Sequence, residues 1–151
     1  MPKFNTHRQV KHTDREMFNL VSDVERYPEF LPMCESLIVR SREERGDKTL
    51  LTADMTVGYK MIRETFTTQV LLNPEEYHID VRYIDGPFRY LENRWSFQLL
   101  GDGKSCDIEF YIDYEFKSRM LGVLMGAMFD IAFKRFTEAF EMRADKIYGQ
   151  N

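Results

Sequence analysis

Residues that most often do chemistry are few in this chain, and their spacing favours structural roles. The three histidines, His7, His12 and His78, fall on different predicted strands with no carboxylate or cysteine at metal-ligand spacing. We therefore predict exposed strand histidines and no metal site. The sequence also contains no glycine-rich phosphate loop and no nucleophile elbow.

Cys34 and Glu64 are the remaining candidates for a chemical role. Nothing near Cys34 in the sequence would activate it, so we predict a buried thiol at the start of a strand. Glu64 shares the parity of Ile62 and Phe66, and a carboxylate facing an apolar cavity could act as a general acid or base. Because one β-bulge reverses this parity, an exposed or arginine-paired Glu64 is favoured over a catalytic one. We expect no enzyme, since Glu64 and Tyr114 are the only polar inward candidates.

Length and charge narrow the classes of protein further. The chain has 151 residues with 21 Lys and Arg against 25 Asp and Glu, which gives a net charge of -4 and argues against DNA as a partner. Cys34 and Cys106 are too far apart to indicate a disulfide framework or a metal cluster. The first six residues have no apolar run and no cleavage signature, so we expect no signal peptide and a cytoplasmic protein. We predict a single domain over residues 1–151.

Hydrophobic periodicity predicts one strand, two short helices, a run of strands and a long final helix. A strand over residues 4–12 precedes a capping box, Thr13 to Glu16, and a helix that ends near Val24. Pro28 fits the first turn of a second short helix, which Pro32 ends. Strands with one apolar face each follow, and helical spacing runs from about residue 118 to 148.

An antiparallel sheet with one apolar face needs a cover, and the final helix can supply it. We therefore predict an α+β helix-grip fold, in which a curved antiparallel sheet wraps around the long C-terminal helix. A curved sheet and one helix enclose more volume than their side chains readily fill, which favours an elongated cavity. The inner face is rich in aromatic rings, which either pack the core or line a cavity for a long apolar ligand.

The first half of the final helix, residues 120–131, is apolar on almost every side. Such a helix is buried, or it meets a partner or a membrane surface. Coverage by residues 27–32 and nearby turns is one alternative, and an adaptable contact surface rich in methionine is the other. Gly122 and Gly126 soften this segment, so we predict a gate for ligand entry at Leu124 and Met128.

Three blocks of residues follow one another along almost the whole chain. They are Asp23-Val24, Tyr27-Pro28, Phe30-Leu31-Pro32 and Cys34; Asp85-Gly86-Pro87-Phe88, Leu91, Trp95 and Phe97; and Ile108-Glu109-Phe110, Glu115-Phe116, Ala139-Phe140, Arg143-Ala144 and Tyr148. In these blocks the chain resembles the coenzyme-Q-binding START-like proteins of the polyketide cyclase/dehydrase superfamily.

This resemblance implies a START-like fold with a hydrophobic tunnel. From the mitochondrial members it implies binding of ubiquinone or another isoprenoid lipid, as a chaperone that supports respiration, with peripheral contact at the inner membrane. Bacterial members of similar likeness are called ribosome-association toxins, which implies the large ribosomal subunit as an alternative partner. A cyclase- or dehydratase-type enzyme is a second alternative.

The physical chemistry favours the quinone carrier. Each CH₂ of an isoprenoid tail contributes about 0.8 kcal/mol when it leaves water, which a dry tunnel lined by rings provides. A ribosome binder should show a basic face, whereas here the bases alternate with acids. We expect ubiquinone as a bound ligand and no other cofactor, with the quinone ring near Trp95, Asn93 and Tyr114. The residues predicted to line the tunnel are Phe30, Leu31, Phe66, Asn93, Trp95, Phe97, Phe110, Tyr114, Phe129 and Phe133.

Overall fold

A computed structural model describes residues 3–59 and 61–149. Met1 and Pro2, in the segment expected to lack a signal peptide, lie outside the described residues, as do the last two residues of the predicted domain. The strands are β1 (Lys3–Val10), β2 (Cys34–Arg45), β3 (Lys48–Tyr59), β4 (Ile62–Asn73), β5 (His78–Asp85), β6 (Phe88–Leu99) and β7 (Cys106–Phe116). The helices are α1 (Asp14–Ser22), a 3₁₀ helix (Val24–Glu29) and α2 (Arg119–Tyr148).

All seven strands form one antiparallel sheet in the order β1-β7-β6-β5-β4-β3-β2. Consecutive strands pair from β2 to β7, so β1 and β2 lie at opposite edges, and α1 and the 3₁₀ helix carry the chain between them. Register shifts in β2 and at the start of β6 add curvature. With α2 against this sheet, the predicted helix-grip architecture is confirmed.

The start of α1 follows the predicted capping box. The Thr13 hydroxyl accepts from the Glu16 backbone N–H at 3.1 Å, and the Glu16 carboxylate accepts from the Thr13 N–H at 2.9 Å. The helix ends at Ser22, earlier than predicted, because Asp23 leaves the helical region with φ -83° and ψ 67°. Pro28 lies inside the 3₁₀ helix and not in its first turn.

The prediction of an exposed strand histidine is wrong for His12. β1 ends at Val10, and His12 is buried with its Nε2 2.7 Å from Asp145 Oδ1 near the end of α2. The partner is 133 residues away in the sequence, so no local pattern indicates it. His7 and His78 are exposed strand residues, as predicted.

The two halves of α2 have different neighbours. The rings of Tyr27 and Phe30 each pack edge-on against Phe140, at 5.2 Å between ring centres, in the second half. These two rings therefore pack on the second half of α2, and Met120, Val123 and Leu124 of the first half remain exposed. Ile147, in the last turn of α2, is exposed. The residues that α2 buries are Met125, Met128, Phe129, Ala132, Phe133, Thr137, Phe140 and Ala144.

Side-chain hydrogen bonds fix the second half of α2 to the rest of the fold. Glu141 accepts from Arg8 Nε at 2.7 Å, Asp145 pairs with His12, and the Arg143 guanidinium donates to Glu29 at 2.6 Å. The first half meets the sheet through rings, since Phe129 stacks on Phe116 at 5.4 Å. Ring contacts are less directional than hydrogen bonds, so the first half can shift with fewer bonds broken. Among the described residues, no helix has the length and apolar character to cross a bilayer.

Candidate functional site

A cavity of about 100 Å³ lies between the concave face of the sheet and α2. Val24, Tyr27 and Leu31 close it on the side of the 3₁₀ helix. Almost all of its lining atoms are apolar. An engineered apolar cavity of about 150 Å³ accepts one benzene ring, so this cavity in its present shape is smaller than the predicted tunnel.

Most of the predicted lining residues lie on this cavity. They are Leu31, Phe66, Asn93, Trp95, Phe110, Phe129 and Phe133. Strand parity explains this agreement, because Asn93 and Trp95 share the inner face of β6 and Phe110 lies opposite Trp95 on β7.

Phe30, Phe97 and Tyr114 are predicted lining residues that do not line the cavity. Phe30 follows the 3₁₀ helix and faces an outer groove, where the Arg143 guanidinium lies 5.1 Å from its ring centre. Phe97 faces α1 and meets the Phe18 ring edge-on at 6.1 Å. Tyr114 is buried and packs edge-on against Phe129 at 5.7 Å, and it is not among the residues that line the cavity.

Sequence reasoning missed most of the aliphatic lining residues and four of the aromatic ones, Tyr27, Phe88, Phe136 and Phe140. For the missed residues on strands, the period-two alternation already indicated an inward direction, whereas Val24, Tyr27, Phe136 and Phe140 lie on helices and follow no such alternation. The missed residues are Val24, Tyr27, Leu37, Ala53, Met55, Val57, Thr68, Val70, Ile79, Val81, Phe88, Leu91, Ile112, Phe136 and Phe140.

Gly86 allows the β5–β6 turn to approach the cavity wall. A Cβ at this position would lie 2.6 Å from the Cβ of Phe66, and the φ of +142° is one that L side chains rarely adopt. Glycine is therefore required where this turn presses on a lining residue.

Asn93 and Trp95 form the polar point of the cavity wall. The indole Nε1 of Trp95 donates to Asn93 Oδ1 at 3.2 Å, and Asn93 Nδ2 donates to the backbone oxygen of Tyr111 at 2.8 Å. Indole N–H groups only donate, so the side-chain oxygen of Asn93 must face Trp95. The amide orientation is thereby fixed, and a second N–H of Nδ2 remains in the wall.

The other polar lining residues offer little acid–base chemistry. The Tyr27 hydroxyl donates to the Val21 carbonyl, and burial raises the pKa of this phenol. Thr68 cannot ionise near neutral pH. Among the described lining residues there is no carboxylate, histidine, lysine, arginine or cysteine, and Glu64 is half-buried elsewhere on β4. Such a wall favours binding of an apolar molecule over proton transfer.

Both cysteines are buried and free. Burial raises the pKa of the Cys34 thiol to about 11. Burial, together with nearby carboxylates, raises the pKa of the Cys106 thiol to about 12. Cys34 begins β2 as predicted, and neither thiol is activated as a nucleophile.

The two predicted gate residues have different environments. Leu124 is 51% exposed, whereas Met128 is 1% exposed and belongs to the core. Gly122 precedes Leu124, Gly126 lies between Leu124 and Met128, and neither glycine is crowded. A Cβ on Gly126 would have no atom within 4 Å outside the helix, and one on Gly122 would meet Phe116 at 3.9 Å. Packing therefore does not require either glycine.

Comparison with known proteins gives matches along nearly the whole chain. A family model described as polyketide cyclase / dehydrase and lipid transport matches residues 10–141. The ribosome association toxin RatA of Vibrio cholerae is 36% identical over 141 residues, 93% of this chain and 94% of that protein. The mitochondrial coenzyme Q-binding protein COQ10 of Drosophila melanogaster is 32% identical over 133 residues, 87% of this chain and 53% of that protein.

Solved structures agree with these matches. An 18 kDa protein from Caulobacter crescentus is 31% identical, with a TM-score of 0.81 over 99% of this chain and 100% of its own. A START superfamily protein from Mycobacterium smegmatis, 22% identical, has a TM-score of 0.79 over 96% of this chain and 98% of its own. The START-like fold and the resemblance expected from the three sequence blocks are confirmed.

Proposed function

This chain belongs to the polyketide cyclase/dehydrase and lipid transport family, and we propose that it binds and carries an isoprenoid quinone such as ubiquinone. The observation that carries the proposal is the apolar cavity with one oriented amide in its wall. The name of the Drosophila relative, a coenzyme Q-binding protein, supports it.

The quinone ring would lie beside Trp95, within reach of Asn93. A quinone carbonyl accepts hydrogen bonds, and the second N–H of Asn93 Nδ2 is a donor of fixed direction. Tyr114, expected to share this role, does not line the cavity, so the proposal assigns it no contact with the ring.

Entry of a tailed quinone requires the first half of α2 to move, because the cavity is smaller than the ligand. The second half is fixed by the bonds of Glu141, Arg143 and Asp145, so the movement is a tilt of the first half about this anchor. Gly122 and Gly126 each lower helix stability by about 1 kcal/mol relative to alanine, which makes this half easier to displace. We place the gate at residues 119–129, with Leu124 on its outer side and Met128 on its inner side.

Association with the large ribosomal subunit is the second candidate function. It rests on the toxin name of the Vibrio relative, which matches over nearly its full length. Many bases of this chain pair with neighbouring acids, as Arg63 does with Glu35 at 2.6 Å and Arg89 with Glu115 at 3.2 Å. A surface neutralised in this way offers less attraction to RNA than a basic face would.

The test uses the single tryptophan of the chain, Trp95. A short-chain ubiquinone should quench its fluorescence saturably, and native mass spectrometry should show one quinone per chain. Quenching no stronger than that of free indole by the same quinone would overturn the proposal. Co-sedimentation with large ribosomal subunits in the absence of quinone binding would support the second candidate instead.

A further inference from the structure

The outer side of the first half of α2 carries a continuous apolar stripe. Met120, Val123, Leu124, Ala127 and Ile131 follow one another at intervals that place them on one side of a helix. Val123 is 75% exposed and Met120 is 71% exposed, so neither contributes to the core. We call these five residues the outer stripe.

Positive charge flanks the outer stripe, although the chain as a whole is acidic. Residues 117–134 contain three bases and one acid, a net charge of +2, against -4 for the whole chain. Lys117 and Arg119 are exposed at the start of the stripe, and Lys134 lies at its far end, 3.2 Å from Asp130. Apolar side chains flanked by bases are typical of surfaces that bind anionic lipid membranes.

Two hairpin turns add apolar residues at the same end of the sheet. Lys117 donates its backbone N–H to the Pro87 oxygen at 2.9 Å, which places the β5–β6 turn beside the helix start, and Ile84 is exposed next to this turn. Met61, at the tip of the β3–β4 hairpin, is the most exposed of the large apolar residues described. These residues widen the apolar area beyond one helix.

We propose that the outer stripe, with Lys117 and Arg119, docks the protein on a membrane surface that contains anionic lipids. The proposal rests on the proposed carrier function and adds the surface from which the quinone is taken. Phe129 and Phe133 line the cavity on the inner side of the same helix segment. A tilt of this segment at the membrane therefore opens a path from bilayer to cavity that crosses little water.

A second copy of the chain fits this surface less well. A stable dimer interface takes about 20–30 residues from each partner, and the stripe supplies five. In such a dimer Lys117 and Arg119 would also be desolvated, and the outer stripe of the second copy offers no acidic residue to pair with them.

Vesicle co-sedimentation without any quinone tests the docking surface directly. The protein should bind vesicles of phosphatidylcholine with phosphatidylglycerol more tightly than phosphatidylcholine alone, and added salt should weaken the binding. Met120→Glu should weaken it at least tenfold, and Lys117→Gln with Arg119→Gln by roughly twentyfold, since each base near an anionic surface gives about a fivefold gain. Met142→Glu is the matched control, because Met142 is a comparably exposed methionine in the second half of the same helix.

Equal binding of wild type, Met120→Glu and Met142→Glu would overturn the proposal, and so would failure of the wild type to bind anionic vesicles. A dimer in solution that Met120→Glu converts to a monomer would show a self-contact instead, which also overturns it. Quenching of Trp95 by a soluble short-chain quinone needs no membrane. It therefore separates failure of the docking surface from failure of the carrier function.

Discussion

Trp95 and Asn93, two residues apart on β6, point into the same cavity and are joined by a hydrogen bond from the indole N–H to the amide oxygen at 3.2 Å. The bond fixes the directions of a flat ring and of an adjacent donor. Both are set before any ligand enters, so a ligand that stacks and accepts a hydrogen bond pays little to organise them.

Asn93→Leu should weaken quinone binding by about tenfold, because a hydrogen bond to a bound ligand contributes roughly 1 kcal/mol and the indole N–H is also left without its acceptor. Isothermal titration with a short-chain ubiquinone measures the loss. Thr68→Val is the control, since Thr68 is a polar lining residue outside the Trp95–Asn93 pair. Equal losses in the two variants would contradict a specific role for Asn93.

Gly122→Ala and Gly126→Ala should each stabilise the fold by up to about 1 kcal/mol in denaturant unfolding, since the helix gains propensity and the new methyl group meets no crowded atom. Both variants should also take up quinone more slowly in stopped-flow quenching. Gly101→Ala, in the open β6–β7 turn, is the control for a glycine outside the gate. Faster or unchanged uptake in the α2 variants would argue against tilting of this half.

Amide hydrogen exchange should be faster in residues 120–128 than in residues 136–143. The second segment contains Glu141 and Arg143, which form hydrogen bonds with Arg8 on the edge strand β1 and with Glu29 in the 3₁₀ helix. The first segment contains Gly122 and Gly126, which lower helix stability although packing does not require a glycine at either position. Mass spectrometry of peptides from α2 gives the comparison. Equal protection of the two segments would show that α2 opens as one unit.

Strongly alkaline solution should destabilise the fold. Burial raises the pKa of Cys34 to about 11 and that of Tyr114 to about 12, from ordinary values of 9.0 and 10.0. Between these limits the unfolded chain releases protons that the folded chain keeps, so the contribution of these two groups to the free energy of unfolding is fully present below about pH 9 and falls as pH rises above it. Urea unfolding at pH 8 and pH 10.5 measures this. Cys34→Val should lessen the fall, and an unchanged slope would assign it to other groups.

The direction of a side chain could be predicted from the sequence where it depends only on the local hydrophobic pattern. The alternation in β6 and β7 is enough to direct Asn93, Trp95 and Phe110 inward, because side chains of a strand alternate with a period of two. Phe30 could not be placed, since its direction depends on how the chain leaves the 3₁₀ helix. His12 depends on Asp145, which only the folding of α2 brings near it.

If the chain carries a quinone as proposed, the size of the cavity determines where part of the free energy of release comes from. A loaded protein must hold α2 away from the sheet, so the contacts between Phe129 and the rings of Phe88 and Phe116 are weakened while the cargo is present. Recovery of these contacts on release would favour the unloaded shape and would therefore assist unloading. In the unloaded shape described above, the aromatic interior is covered, so no large apolar surface inside the cavity is left exposed to promote aggregation.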